Sequence, residues 1–171
     1  MELEISPDLN KQQIFSLVKD FLEGNEFNII NCDETRPWGG FFVIDESQSE
    51  KFIEYFFKNV PESKPEFTSK LSPKILIVEK GKRLSWQYHH RRSEIWKVIG
   101  GNAEVVTSDS DEEMNRQTKK KGEIIILKQG ERHRLIGTDD WGIIAEIWQH
   151  TQPDYPSDES DIVRVQDDFG R

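Results

Sequence analysis

Four side chains in the second half of the sequence carry atoms that bind metal ions: Gln87, His89, Glu94 and His133. Gln87 and His89 are two residues apart, so on a strand both point to the same face. Glu94 follows across a short polar turn, His90-Arg91-Arg92-Ser93, which can fold it back beside them. His133 lies well downstream, just after the turn signal Gln129-Gly130, itself preceded by the apolar stretch Glu123–Leu127. Two imidazoles, a carboxylate and an amide oxygen form a mixed N/O set. Such a set suits zinc, manganese, iron, cobalt or nickel, and spacing does not choose among them. Spacing alone also fits ordinary surface residues.

The elements that must hold these groups are mostly strands. Short runs rich in Ile and Val, separated by turn signals, predict strands at Phe27–Asn31, Gly40–Asp45, Lys74–Lys80, Ile95–Ile99, Ala103–Thr107, Glu123–Leu127, Gly142–Gln149 and Ile162–Val165. Gly100-Gly101-Asn102 reads as one of the turns. Many short strands of this kind imply a sandwich or barrel. Two helices stand apart. Ser6-Pro7-Asp8 looks like a helix start, with Ser6 as N-cap, and Ile14, Leu17, Val18, Phe21 and Leu22 recur at helical spacing up to a stop at Gly24. A second helix is expected over Glu50–Asn59, ended by Pro61 and Pro65, with a polar linker through Ser72. The charge-rich stretch Ser108–Lys121 reads as a solvated hairpin or loop.

The whole chain, 171 residues, suits one domain, 1–171. A hydrophobic fraction of 35% is enough for a real core at this length. A net charge of −9 argues against nucleic acid, whose phosphates need a basic footprint. The single cysteine, Cys32, cannot form an intrachain disulfide and suggests a reducing compartment. Neither a secretory leader nor a membrane-length apolar run is visible, so a cytoplasmic location is expected.

The stretch from Gly81 to Gly101 resembles the first cupin motif: Gly81, then Gln87 and His89 separated by one residue, then Glu94, closed by Gly100 or Gly101. Gly122 to Gly137 resembles the second, with Gly130 and His133 at the expected places; Lys128 and Gly137 depart from the usual Pro and Asn. Gln87 stands where many cupins have His, and it points to the phosphomannose isomerase branch. The resemblance is closest to the type II cupin domain, through Arg36-Pro37-Trp38-Gly39, Leu84–Val105, Gly130–Leu135 and Asp161–Arg171. It implies a mainly β fold, the cupin double-stranded β-helix or jelly-roll barrel, with its core over 74–150, a helical N-terminal extension over 1–25 and a short helical insertion near 50–60. Residues 161–171 would return to the active site. It also implies a divalent metal, zinc in the first instance, on Gln87, His89, Glu94 and His133, and a small phosphorylated sugar as substrate. No nucleic-acid or membrane partner is expected. A homodimer through sheet edges is compatible with this fold.

The implied reaction interconverts an aldose phosphate and a ketose phosphate, most simply mannose 6-phosphate and fructose 6-phosphate. The metal polarises a carbonyl and a general base moves a proton between C1 and C2. Arg171, in the closing Phe-Gly-Arg, is the first candidate for the phosphate, followed by Arg36 and by Arg83, which shares strand parity with Ser85 and Gln87. Glu146, on a strand with apolar residues on both faces, is the candidate base, with Glu131 as an alternative. His90 has the opposite parity to His89 and is expected to face away, and Lys97 to be exposed. Trp86, Trp96 and Trp148 read as packing. The rival readings keep the fold: an isomerase or epimerase on another phosphosugar, or a non-catalytic cupin that binds sugar or metal.

Overall fold

The computed structural model describes residues 3–58, 60 and 70–171. Helix α1 (Lys11–Gly24) is followed by strands β1 (Ile29–Asp33) and β2 (Gly39–Ile44) and by helix α2 (Ser49–Phe56). Then come β3 (Leu71–Val78), β4 (Trp86–His89), β5 (Arg92–Ser108), β6 (Gln117–Lys120), β7 (Ile124–Leu127), β8 (Arg132–His150) and β9 (Ile162–Gln166). The strand order is β1-β2-β3-β8-β4-β9, and β5 joins it by pairing with β8 as well as with β6 and β7. The sheet curls into a half-barrel, the mainly β architecture expected, with the two added helices. No helix among the described residues is long and apolar enough to cross a membrane.

Strand alternation divides the core in two. Ile75 and Ile77 of β3, Ile95 of β5, and Ile143, Ala145 and Ile147 of β8 pack outward in a cluster with Phe15, Val18 and Leu22 of α1 and Phe52 and Phe56 of α2. Their sequence neighbours Leu76, Val78, Trp96, Val98 and Ile144 pack inward in a second cluster. Because both faces are covered, these strands read as unbroken apolar runs. Burying each such side chain contributes about 1.5–3 kcal/mol. Continued toward one end, the inward alternation reaches Lys74, Glu94, Glu146 and Trp148. The register aligns them: Lys74 sits opposite Glu146, Glu146 opposite Trp96, and Trp148 opposite Glu94. Three strands thus present one polar row at the end of an otherwise apolar interior.

Several boundaries differ from expectation for identifiable reasons. Helix α1 begins at Lys11, not near Ser6. Asn10 caps it, and Asn10 and Gln13 form a reciprocal capping box that satisfies two backbone donors at once. Ser6 instead starts a turn, its carbonyl accepting from Leu9 N. The expected turn at Gly100-Gly101-Asn102 is a bulge inside one long strand, β5, whose register against β8 shifts there. Gly101 has φ +59, and a Cβ would lie 1.8 Å from the Trp141 carbonyl oxygen, so only glycine fits. The stretch Ser108–Lys121 contains β6, paired with β5. It is also tied down by Trp86 Nε1, which donates to the Asp111 carbonyl at 2.8 Å. Of the expected second helix, Asn59 lies outside the described residues, as do Pro61, Pro65 and most of the linker.

Candidate metal centre

Strands β4, β5 and β8 bring the donors together. Gln87 on β4 is the register partner of His133 on β8. His89 Nε2 lies 3.2 Å from Glu94 Oε1 and 3.3 Å from His133 Nε2, and His133 Nε2 lies 3.7 Å from Glu94 Oε2. One donor atom from each of the three lies within 4.8 Å of the others. Nitrogen donors on a tetrahedral ion at roughly 2.0–2.1 Å stand about 3.3 Å apart, so this separation fits a shared ion. All three side chains are 2% exposed.

The surroundings prepare them as ligands. His133 Nδ1 is 3.0 Å from the Glu131 carbonyl, which accepts a hydrogen bond from Nδ1–H in the tautomer that leaves the Nε2 lone pair facing the centre. Burial lowers the His133 pKa to about 4 against the pull of Glu94, so the ring is neutral near pH 7. Burial pushes Glu94 the other way, but Arg92, His89 and His133 outweigh it and hold the carboxyl well below its ordinary range. Arg92 Nε donates to Glu94 Oε1 at 2.7 Å, and its Nη2 approaches His89 Nε2 at 3.1 Å. The guanidinium lies 3.5 Å from the Trp148 ring and donates to Ser157 Oγ at 2.9 Å. The turn between β4 and β5 is pinned by the buried Asp161 carboxylate, which accepts from His90 N at 3.1 Å, Arg91 N at 3.0 Å and Ser157 Oγ at 2.6 Å. Gln87 faces the same cavity, its Oε1 accepting from Ser85 Oγ at 2.5 Å. The donor set therefore fits a divalent ion. Protein supplied with zinc is expected to carry one ion per chain by mass spectrometry. His133→Ala is expected to weaken zinc binding by more than about 100-fold with the far-ultraviolet circular dichroism kept. Full metal content in Gln87→Ala/His133→Ala would defeat the assignment.

A cavity opens beside this centre. Its wall carries five cations, Arg36, Lys74, Arg92, Arg164 and Arg171, against three carboxylates, Glu94, Glu146 and Glu159. Glu146 Oε1 accepts from Trp96 Nε1 at 3.0 Å, and the same indole donates to Glu94 Oε2 at 2.9 Å. Burial and the Glu94 charge raise the Glu146 pKa to about 8, against the pull of Lys74 and Arg92. Burial lowers the Lys74 pKa, opposed by Glu146 and Glu159, and its ammonium sits 3.6 Å from the Trp148 ring centre. Arg36 pairs with Asp33 at 2.8 Å.

Arg83, expected to face the cavity, does not line it. Asp168 turns its fork outward, with contacts at 2.6 and 2.9 Å. Glu131, the alternative base, is a turn residue whose carboxylate accepts from Lys128 N at 2.8 Å. His90 is exposed, as its parity predicts. Lys97 faces outward but is half-buried, donating to the Phe56 carbonyl at 2.7 Å. Sequence reasoning missed Lys74, Arg92, Arg164 and Glu159. Two signals were available: Lys74 interrupts the apolar run of β3, and Arg92 shares strand parity with Glu94.

A family model described as "Mannose-6-phosphate isomerase C-terminal" matches residues 23–167. The alginate biosynthesis protein AlgA of Pseudomonas aeruginosa is 27% identical over 161 residues, 94% of this chain and 27% of that protein. The xanthan biosynthesis protein XanB of Xanthomonas campestris pv. campestris is 31% identical over 136 residues, 80% of this chain and 23% of that protein. The chain thus spans about a quarter of the length of these curated relatives. Among solved structures, a mutant of the Bacillus subtilis oxalate decarboxylase OxdC is similar with a TM-score of 0.55 and 11% identity, over 78% of this chain and 30% of that one. KdgF from Halomonas sp. is similar with a TM-score of 0.50 and 11% identity, over 72% of this chain and 90% of that one. At such identities the likeness concerns the fold.

Proposed function

Because the chain belongs to the mannose-6-phosphate isomerase C-terminal family, we propose that it is a metal-dependent sugar-phosphate isomerase interconverting mannose 6-phosphate and fructose 6-phosphate. The observation that carries this reading is the cation-rich cavity wall beside the donor cluster, in a chain whose net charge is −9. Cations gathered against the overall charge favour an anionic ligand.

Gln87, His89, Glu94 and His133 would hold the ion, which supplies Lewis-acid polarisation of the substrate carbonyl. The chain's own residues do the rest. Glu146, opposite Lys74 across β3 and β8, carries the proton between C2 and C1. A carboxyl whose pKa is raised to about 8 is poised for both acceptance and return near neutral pH. Lys74 offsets negative charge that develops on the sugar oxygens. Arg92 keeps Glu94 ionised, and Trp96 and Trp148 wall the reacting carbons from water. The arginine side of the wall receives the phosphate, so binding energy from a non-reacting group serves orientation.

An enzyme-linked assay for fructose 6-phosphate tests the proposal. Mannose 6-phosphate is expected to turn over at about 1–1000 per second with zinc and to stop with chelator. Absence of metal-dependent turnover on every hexose phosphate tried would remove it, and sugar binding without turnover would favour the accessory-module reading.

A further inference from the structure

The five cations on the cavity wall are not equally available. Arg36 is paired with Asp33 at 2.8 Å, Lys74 with Glu159 at 3.6 Å and Arg92 with Glu94 at 2.7 Å. Arg171 is held along one edge by a single carboxylate: Asp167 Oδ2 lies 3.0 Å from its Nε and Oδ1 3.0 Å from its Nη2. Arg164 differs. Among the described residues its side chain has neither an ion-pair nor a hydrogen-bond partner, and its Nε is buried; Arg36 Nε is also buried without a hydrogen bond, but Asp33 balances its charge. A buried donor without an acceptor is uncommon in a folded protein and calls for a ligand.

From this geometry we infer that Arg164 is the anchor for the anionic group of the ligand, rather than Arg171. Arg164 lies on β9 directly opposite Gln87 of β4. Ile162, two residues before it, lines the same cavity, so strand alternation turns both inward. The anchor is therefore one strand away from a metal donor. That placement puts an anion held by Arg164 in the same cavity as the donor cluster. The guanidinium fork matches two oxygens of a phosphate. The Arg171–Asp167 pair, its charge already balanced, closes the wall instead.

The inference rests on the phosphosugar reading but is tested without turnover. Inorganic phosphate and mannose 6-phosphate are titrated into the full chain and followed by phosphorus NMR. Arg164→Gln is expected to weaken both on the order of 10–100-fold. Arg171→Gln is expected to weaken them less, and Arg83→Gln not measurably. Arg164→Lys keeps the charge without the fork and is expected to fall between; it carries the test if the Gln variant does not fold. Unchanged phosphate binding in the Arg164 variants, a larger loss in Arg171→Gln, or no phosphate binding by the wild type would each overturn the inference. Phosphate binding lost in Arg164→Gln while no isomerase activity exists would refute the proposed reaction and leave the anchor standing.

Discussion

Arg92→Met is expected to destabilise the chelator-treated protein by about 3–5 kcal/mol, the usual cost of leaving one member of a buried ion pair alone. Arg92 and Glu94 are each 2% exposed and meet at 2.7 Å. Met fills much of the arginine stem's volume and keeps apolar contact with Trp148, so the loss reports charge rather than packing. Two controls separate the terms. Adding Glu94→Gln to the Arg92 variant removes the stranded carboxylate and is expected to recover most of the loss. Saturating zinc, which replaces the missing positive charge beside Glu94, is expected to do the same without a second mutation. Urea unfolding followed by tryptophan fluorescence gives all the values. A loss below about 1 kcal/mol in chelator, or an equally unstable double variant, would contradict this account.

Glu146→Gln should lower kcat by about 10²–10⁴-fold, the range set by removing a positioned general base. The same substitution should make the protein more stable at alkaline pH. Glu146 has its pKa raised in the folded chain from 4.5 to about 8. Between those values the folded state holds a proton that the unfolded chain has released. Stability therefore falls as pH rises through that window, and the amide removes this slope. Stability gained while activity is lost is the pattern of a residue retained for chemistry against the preference of its surroundings. Urea midpoints at pH 5 and 8, with turnover from the linked assay, supply both readouts. A variant that keeps more than a tenth of wild-type turnover would exclude Glu146 as the base.

The donor cluster was legible in the sequence because its logic is local. Two-residue spacing sets Gln87 and His89 on one face, and a polar turn returns Glu94 to them. The cations were harder. Lys74, Arg92 and Arg164 sit in strands, where a charged residue ordinarily signals a solvent-facing position. Only the curl of the sheet makes that face an interior, and curvature depends on long-range pairing between β3, β5 and β8 that periodicity does not encode. Arg83 shows the converse. It lies before β4, outside the strand whose parity it was given, and its fork is claimed by Asp168, a residue 85 positions away. The bulge at Gly101 misled for a related reason. Two glycines before an asparagine signal a reversal in isolation, yet here they let a strand bend and continue.

The long β5–β8 ladder has a consequence for how the protein breathes. Its pairing runs from Arg92–His150 to Ser108–Arg132, so its amides belong to the last unit to exchange with solvent. Glu94 and His133 ride on that unit. Gln87 and His89 do not: β4 meets β8 at one register pair and depends mainly on β9. A brief peeling of the β4–β9 ribbon would split the four candidate donors two and two, so an ion held there would be released without unfolding the rest. Arg164 belongs to that same ribbon. An anion seated on it would hold the flap down and slow the ion's escape, and by reciprocity a seated ion would tighten the anion.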